Sequence, residues 1–367
     1  MKVALVHDYI KEYGGAERVL ETLHEMFPEA PVFTSVYLPN YLGPHKGRFK
    51  NWDIRPSVLQ WLPLKAKLIS PMRLVAPFIF KQMNFSDYDV VIVSATGAYL
   101  PNRINKGSAK HLCYCHTPPR YLYGYPTART VGPVLKPFVA VANHFLRMMD
   151  HESAQNVDAF IANSKETKSR IEKFYRKDAA VIYPPVEIPQ LNSKSQIPNS
   201  KREYYLAGGR LARAKRTDLA VKVCTELQLP LKVFGRDFGG FENELREIAG
   251  PTVEFVGEVT DKEKWELMRN ALSYISPSEF EDFGVLNVEV MAAGTPVIAL
   301  GQGGALESIV DGKTGVFFEE PTVESLKKAI KKFEKMNLKP EDCRKQAEKF
   351  SKKRFIQEIT NLLNQII

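Results

Sequence analysis

The sequence lacks the features that mark membrane-spanning and secreted proteins. No uninterrupted apolar run reaches the about 18 residues that a membrane-spanning helix needs. The first residues, MKVALVHDY, meet His7 and Asp8 after only a few apolar positions, so we expect no signal peptide. We therefore predict a cytoplasmic protein, and we leave peripheral attachment to the inner face of the cell membrane open.

The sequence also lacks a metal-site arrangement of cysteines and two common phosphate-binding patterns. Of the four cysteines, Cys113 and Cys115 flank Tyr114 in a predicted strand, and no second pair has metal-site spacing. We expect free, buried thiols in a reducing compartment. No G-x-G-x-x-G follows the first predicted strand, which argues against a nicotinamide or flavin dehydrogenase. The G-K-T at 312–314 has Glu307 where the full G-x-x-x-x-G-K-[ST] loop has glycine, which argues against an NTPase.

Acidic residues are scarce in one region of the first half. Up to Pro185 there are 24 Lys and Arg against 15 Asp and Glu, and from Val186 onward there are 27 of each, so the whole excess of +9 precedes Val186. Residues 46–81 hold eight basic residues and one acidic residue, Asp53, interleaved with large apolar side chains. The basic residues are Lys46, Arg48, Lys50, Arg55, Lys65, Lys67, Arg73 and Lys81. Such a region is typical of a surface on anionic lipid, of a nucleic-acid patch, or of a partly buried helical segment with a solvated basic rim.

The chain has the length and the pattern of two α/β domains. Its 367 residues suffice for two independent cores, and short apolar runs alternate with helical segments in both halves. This alternation predicts parallel sheets built from right-handed strand-helix-strand units. We expect a first domain over 1–185, a second over 186–350 and a final amphipathic helix over 351–367, with a linker and surface loop at 185–202.

The stretch from Ile275 to Val310 indicates the kind of ligand. Two strand-loop-helix units there direct their loops to the carboxyl edge of a sheet, where open α/β sheets bind ligands. Glu281 and Glu289 offer acceptors suited to hydroxyls. Gly303 and Gly304, ahead of a short helix, offer backbone N–H groups suited to phosphate. Hydroxyls and phosphates together suggest a sugar nucleotide.

Two cations follow the first predicted strand of the second domain. Tyr204 to Ala207 reads as a strand that ends in Gly208-Gly209, and Arg210 and Lys215 follow before the next helix. An arginine fork and a lysine point charge together can neutralise a diphosphate as its bond to a sugar breaks.

The first half carries two further candidate sites. Glu12 to Ala16, with Gly14 and Gly15, is predicted as a loop that opens a helix over 17–27 directly after the first strand. His116 leaves the predicted strand Lys110 to Cys115 at its carboxyl end, and the prolines that follow it stiffen the loop.

These motifs resemble those of a known family. The segment E-D-F-G-V-L-N-V-E-V-M-A-A-G-T-P-V-I-A, followed by G-G-A-L-E, is similar to the signature of the nucleotide-sugar-dependent, retaining glycosyltransferases of family 4, although Asp282 stands where the family usually has glycine. G-R-L-x-x-x-K at 209–215 and the glycine loop at 14–15 also match this family. The resemblance implies a GT-B fold, in which two Rossmann-like domains face each other across a cleft and the last helix crosses back to the N-terminal domain.

The resemblance also implies roles for single residues. Glu289 would accept the ribose hydroxyls, Glu281 would hold hydroxyls of the donor sugar beside the Gly303-Gly304 turn, and Arg210 and Lys215 would stabilise the leaving diphosphate in place of a metal ion. Phe283, Gly284 and Val285 belong to the same donor-binding motif, and Gly257 to Val259 lies where the family holds the base. No metal and no cofactor beyond the donor is expected.

A motif in the first half of the chain indicates which sugar is transferred. C-H-T-P-P-R-Y at 115–121 resembles a motif of O-antigen-type mannosyltransferases, whose histidine lies beside the donor sugar, so we expect GDP-mannose as the donor and a catalytic role for His116. The acceptor would be a saccharide or a lipid-diphosphate-linked sugar. Because enzymes of this type often use lipid-linked acceptors, we favour anionic membrane as the partner of residues 46–81, and we expect no nucleic acid.

Three alternatives stay open. A sugar-nucleotide 2-epimerase shares the fold and needs no acceptor. A transferase with a UDP-sugar donor would use the same carboxylates. A nucleotide-sugar-binding scaffold without turnover would keep the glutamates and tolerate the loss of His116.

Overall fold

The protein consists of two compact units. The structure is a computed structural model and describes residues 1–125, 132, 134–188 and 202–366. The first unit contains Met1–Pro185 and Lys353–Ile367, and the second contains Val186–Lys352. Most of the predicted linker at 185–202 lies outside the described residues.

The first unit is built on a parallel sheet of seven strands. The strands β1 to β7 are Val3–His7, Val32–Thr34, Ile54–Pro56, Val90–Ala95, Lys110–Cys115, Ala159–Ala162 and Ala179–Val181. They are arranged in the order β3-β2-β1-β4-β5-β6-β7. The helices α1 to α5 of this unit are Gly15–Met26, Ile69–Met72, Ala76–Lys81, Lys136–Gln155 and Lys165–Tyr175.

The central strands of this sheet have apolar side chains on both faces. All five residues of β1 and all six of β4 are buried, as expected for a parallel sheet that is covered on both sides. Core side chains lie on either side of the sheet, with Val91 and Phe80 in one cluster and Leu5 and Leu20 in the other. Burial of these runs is the main force that holds the unit together.

The second unit has a parallel sheet of six strands. The strands β8 to β13 are Tyr204–Leu211, Leu231–Asp237, Val253–Gly257, Ala271–Ser276, Val297–Leu300 and Gly315–Phe318. Their order is β10-β9-β8-β11-β12-β13. The helices α6 to α12 are Thr217–Glu226, Phe241–Ile248, Asp261–Asn270, Val285–Ala292, Ala305–Ser308, Val323–Glu334 and Pro340–Glu348. The predicted pair of parallel-sheet, Rossmann-like α/β domains is confirmed.

The strand β8 is longer than predicted, and the reason lies in its glycines. Instead of ending in Gly208-Gly209, β8 continues to Leu211 and pairs with β9 from Tyr205 to Leu211. A Cβ atom added at Gly208 would lie 2.0 Å from the carbonyl oxygen of Phe234. A Cβ atom added at Gly235 would lie 1.7 Å from the carbonyl oxygen of Gly209. These glycines therefore permit a close backbone approach within the ladder rather than ending it.

The last helix, α13 (Lys352–Ile366), belongs to the first unit for almost its whole length. Its buried residues, Phe355, Ile359 and Leu363, are spaced by four and lie in the same core cluster as Leu5 and Tyr114. The amphipathic pattern at the end of the sequence thus attaches the C-terminus to the N-terminal sheet.

Each sheet contains one point at which the strand order reverses. In the first sheet it lies between β1 and β4, and in the second between β8 and β11. The carboxyl ends of two such neighbouring strands leave a crevice where ligands of open α/β sheets bind. Within the described ranges, no helix is both long and apolar enough to cross a bilayer.

Candidate active site

The loop that follows β11 places Glu281 against a lysine. The Nζ atom of Lys215 lies 2.5 Å from Oε2 of Glu281, and the pair is only partly exposed to solvent. The loop ends at Gly284, whose left-handed φ of +80° precedes the first residue of α9. Glu281 and Lys215, which are both predicted to bind the donor, are therefore in direct contact with each other.

Glu289 lies on the buried side of α9 and is also held by a lysine. The Nζ atom of Lys264, in α8, lies 3.2 and 3.4 Å from the two carboxylate oxygens of Glu289. The sequence analysis missed Lys264. The signal that could have found it is position, since Lys264 lies in the first turns of the helix that follows β10, at the same edge of the sheet.

The hydroxyl of Tyr274 is influenced by both glutamates. This hydroxyl donates a hydrogen bond of 2.8 Å to the carbonyl oxygen of Gly208, and so links β11 to β8 across the point where the strand order reverses. Burial raises the pKa of Tyr274, and the charges of Glu281 and then Glu289 raise it further. The charges of both carboxylates therefore act on the same phenol, which agrees with their position at one edge of the second sheet.

The cations Arg210 and Lys215 lie at the same edge. Arg210 is the penultimate residue of β8 and is exposed, with its guanidinium 5.8 Å from the centre of the Phe238 ring. Lys215 follows in a short 3-10 helix. Its neighbour Arg216, with a left-handed φ of +51°, forms ion pairs with Asp218 at 3.2 Å and with Glu279. The loop that carries Glu281 is thus held by two successive cations.

The Gly303-Gly304 turn is less open to a ligand than predicted. The N–H of Gly304 donates a hydrogen bond of 2.9 Å to the carbonyl oxygen of Glu281. A Cβ at Gly304 would lie 2.2 Å from Cα of Phe283, so these residues must be small for the two loops to pack. The amide of Gly304 is therefore used within the protein, which contradicts its predicted availability for phosphate.

The remaining residues of the motif differ in accessibility. Phe283 is buried, and its ring lies 5.3 Å from that of Phe350, so it packs within the second unit. Gly284 and Val285 are partly exposed at the start of α9. A direct ligand contact is therefore better supported by position for Gly284 and Val285 than for Phe283.

In the first unit, the glycine loop is tied to its own helix. Gly14 is the N-cap of α1, and its N–H donates a hydrogen bond of 2.8 Å to Oε2 of Glu17. Gly15 is the first residue of α1 and not part of the predicted loop, because this capping interaction begins the helix two residues earlier than expected.

His116 is nearly buried immediately after β5. Its Nε2 atom lies 3.0 Å from the hydroxyl of Ser94, and its carbonyl oxygen accepts a hydrogen bond from Thr167. Burial, and to a smaller extent the neighbouring His7, lowers the pKa of His116 to about 3. The side chain is therefore a neutral imidazole at physiological pH, able to donate from one ring nitrogen and accept at the other.

Comparison with known families gives matches over most of the chain. The sequence model described as Glycosyl transferases group 1 matches residues 190–350, and the one described as Glycosyltransferase Family 4 matches residues 13–189. The chain is 25% identical to the alpha-1,3/1,6-mannosyltransferase ALG2 of Mus musculus, with 96% of this chain and 94% of that protein covered. It is 31% identical to the lipopolysaccharide core biosynthesis mannosyltransferase LpcC of Rhizobium leguminosarum bv. viciae, over 48% of this chain and 54% of that protein.

Solved structures show the same fold. Anabaena Alr3699/HepE in complex with UDP-glucose matches with a TM-score of 0.71 at 19% identity, with both chains fully covered. The lipopolysaccharide outer core galactosyltransferase WaaB matches with a TM-score of 0.67 at 17% identity, also over both whole chains. The two units thus form the GT-B fold, and the chain belongs to the family 4 glycosyltransferases, the glycosyl transferases of group 1.

Proposed function

We propose that this glycosyltransferase moves mannose from GDP-mannose to a saccharide or lipid-linked acceptor in surface-glycan synthesis, with retention of configuration and without a metal ion. The observation that carries the proposal is that Glu281 and Glu289 are each held by a lysine, and that the charges of both act on Tyr274 in β11 of the second sheet. The names of the two sequence relatives and the H-T-P-P-R-Y segment at 116–121 support mannose as the sugar.

The ion pairs suggest how a nucleotide-sugar would be held. Glu289 is largely buried and has two acceptor oxygens, which suit the paired hydroxyls of a ribose. Glu281 would accept from hydroxyls of the sugar, and Lys215, already in contact with Glu281, would bind the adjacent diphosphate. Because one carboxylate-lysine pair contacts both parts of the donor, it would position the bond that breaks between them.

Transfer itself requires little covalent chemistry from the protein. The acceptor hydroxyl oxygen forms a bond to the anomeric carbon as the bond from that carbon to the phosphate oxygen breaks. The electron pair leaves with the diphosphate, and the departing phosphate oxygen takes the acceptor proton on the same face. Arg210 and Lys215 would stabilise the negative charge that develops on the diphosphate.

A donor and acceptor panel tests this function. Purified protein is incubated with GDP-mannose, GDP-glucose, UDP-glucose or UDP-galactose, with and without a lipid-diphosphate-linked saccharide, and products are identified by mass spectrometry. We expect GDP release and a mannosylated acceptor only with GDP-mannose and acceptor together. Turnover without acceptor would instead indicate an epimerase, transfer from UDP-sugars only would indicate a different donor, and binding without turnover would indicate a scaffold.

A second surface supports a membrane-bound acceptor. Within residues 46–81 the structure separates core side chains, such as Met72 and Phe80, from exposed ones, such as Trp61 at 86% and Leu64 at 70% exposure. The helix α4 adds a row of exposed apolar residues that the sequence analysis missed. This row consists of Leu135, Phe138, Val141, Phe145 and Met148.

Arg103 contacts both of the segments that carry these exposed side chains. The guanidinium of Arg103 lies 5.4 Å from the centre of the Phe78 ring in α3, and its Nη1 atom lies 3.2 Å from the sulfur of Met149 in α4. Exposed Lys67 and Lys81 lie among the apolar side chains of residues 46–81. Large apolar groups beside lysines suit the interface of an anionic bilayer, so we propose that this face of the first unit rests on the membrane.

Vesicle flotation tests the membrane face. The wild-type protein should float with phosphatidylglycerol-containing vesicles at low salt, and the double variant Trp61→Ser with Phe138→Ser should not. Val310→Ser, which removes an exposed apolar side chain of the second unit, should float like the wild type. Failure of the wild type to float would refute the membrane face and leave the donor chemistry untouched.

The cytoplasmic location stays part of this proposal. All four cysteines are buried and free, which agrees with a reducing compartment.

A further inference from the structure

Four buried polar side chains form a continuous network below the strand reversal of the first unit. His7 ends β1 and Ser94 lies opposite it in β4, paired in the parallel register. The hydroxyl of Ser94 lies 3.1 Å from Nδ1 of His7 and 3.0 Å from Nε2 of His116. His7 and Ser94 have no exposed surface. One serine hydroxyl thus connects two imidazoles.

The network ends at a carboxylate that also holds the glycine loop. Nε2 of His7 faces Oε1 of Glu17 at 3.6 Å. The other oxygen of Glu17, Oε2, accepts the N–H of Gly14. We call Glu17, His7, Ser94 and His116 the buried network. It joins the Gly14 loop to His116 through contacts within the first unit.

The chemistry of its members gives the network a direction. A carboxylate can only accept, so the ring nitrogen of His7 that faces Glu17 carries the hydrogen. When that hydrogen is the only one on the His7 ring, Nδ1 has a lone pair, and the single hydrogen of Ser94 is donated to it. The oxygen of Ser94 in turn accepts a hydrogen from Nε2 of His116. Both hydrogen bonds of the Ser94 hydroxyl therefore point from His116 toward His7.

We propose that the buried network fixes His116 as the tautomer protonated on Nε2, so that Nδ1 presents a lone pair that accepts a hydroxyl hydrogen of the bound sugar. In the described part of the chain, the hydrogen bonds of the His116 side chain are confined to Nε2. Glu17, His7 and Ser94 are positioning residues, because they act on the ligand only through His116. The sugar as ligand rests on the proposed function, whereas the tautomer does not.

The neutrality of His116 makes the tautomer decisive. Because burial holds its pKa at about 3, the ring does not gain a second proton near neutral pH and offers one donor and one acceptor. The opposite direction would require a lone pair of His7 to face Glu17, or a second hydrogen on the His7 ring. The nearby carboxylate of Asp8 already accepts the N–H groups of Thr96 and Tyr99, at 2.6 and 2.7 Å.

The isosteric variant Glu17→Gln should reverse the network. The N–H of Gly14 requires an acceptor, which keeps the amide oxygen of the glutamine at the Oε2 position. The NH₂ group then faces His7 and donates to Nε2. His7 must move its hydrogen to Nδ1 and donate to Ser94, and Ser94 then donates to Nε2 of His116. The hydrogen of His116 is transferred to Nδ1 by a substitution at a residue it does not touch.

Two-bond ¹H–¹⁵N correlation NMR on ¹⁵N-histidine-labelled full-length protein measures both tautomers, with His116→Gln used to assign the signals. We expect a protonated Nε2 and an unprotonated Nδ1 for His116 in the wild type, and the reverse in Glu17→Gln. A protonated Nδ1 in the wild type, or one tautomer in both proteins, would overturn the proposal. Should Glu17→Gln fail to fold, Ser94→Ala replaces it. Loss of the acceptor should then leave His116 as a mixture of tautomers, and an unchanged tautomer would count against the network.

Steady-state kinetics measure the consequence for transfer. Glu17→Gln and Ser94→Ala should each lower kcat/KM about tenfold, the size of one lost hydrogen bond to the ligand. Ser153→Ala also removes a buried hydroxyl from the first unit, one that donates to the carbonyl of Met149, and should leave kcat/KM unchanged. An inverted tautomer with full activity would refute the role of Nδ1. A confirmed tautomer in a protein without transferase activity would refute the proposed function alone.

Discussion

The two units carry different side chains at equivalent places, namely where the strand order of each parallel sheet reverses. Where the first sheet reverses its strand order, the side chains are almost fully buried and hydrogen-bonded, as in the His7–Ser94–His116 contacts. Where the second sheet reverses, the side chains are partly exposed ion pairs, Lys215 with Glu281 and Lys264 with Glu289. Topology thus fixes where a ligand can bind, and local burial decides whether that edge offers neutral hydrogen bonds or charge.

The largest expected effect is a loss of kcat when a lysine at the charged edge of the second sheet is removed, compared with removal of a lysine elsewhere on the surface. Lys215→Ala should lower kcat by about a hundredfold or more, because it removes a preorganised charge from the leaving diphosphate. Its melting temperature should change little, since a partly exposed ion pair contributes about 1 kcal/mol or less. Lys222→Ala, which breaks an exposed ion pair with Asp218 in the same unit, is the control and should retain wild-type kcat. Equal kcat in both variants would remove Lys215 from the reaction.

A smaller effect is expected for the pair that would hold the ribose. Glu289→Gln should weaken GDP binding about tenfold to a hundredfold, the range for a hydrogen bond to a charged group, as measured by isothermal titration calorimetry. Glu324→Gln, in the first turn of α11, should bind GDP like the wild type. Unchanged affinity in Glu289→Gln would separate Glu289 from the nucleotide.

The smallest expected effect is a change in the pH dependence of stability, and it comes from a buried carboxyl group of the first unit. Burial raises the pKa of Asp150 to about 7, although the hydroxyls of Tyr123 and Tyr175 donate to it. The folded state then binds one proton more than the unfolded state between pH 4 and 7, so this group lowers the free energy of unfolding as pH rises through that range. Asp150→Asn should therefore gain in melting temperature relative to the wild type from pH 4.5 to 7.5. A difference independent of pH would contradict the raised pKa.

The histidines oppose this trend. Burial lowers the pKa values of His111 and His116 to about 3, so between pH 3 and 6.5 the unfolded state binds more protons at these residues. Their contribution to stability is present above pH 6.5 and is lost as pH falls. Because both proteins contain these histidines, their contribution cancels when the melting temperature of Asp150→Asn is compared with that of the wild type at each pH.

The parts of the structure that could be predicted from the sequence are those set by local periodicity. The alternation of strands and helices and the position of Glu281 and Glu289 at one edge of the second sheet follow from short segments whose neighbours in space are also near in sequence. The same segments carry the family motif.

The parts that could not be predicted depend on register and on what covers a surface. His7 and Ser94 meet because β1 and β4 pair in one register, and no local pattern encodes that pairing. Lys264 reaches Glu289 from a different helix. The apolar row of α4 has the spacing of a core-facing stripe, and periodicity alone does not distinguish a buried stripe from an exposed one.

The most direct test of donor binding at the charged edge is hydrogen–deuterium exchange with and without GDP-mannose. We predict slower exchange in peptides over 208–216 and 277–290, and unchanged exchange over 322–334, which contains α11. Protection confined to segments outside the carboxyl edge of the second sheet, with 208–216 and 277–290 unaffected, would contradict the assignment of this edge as the donor site.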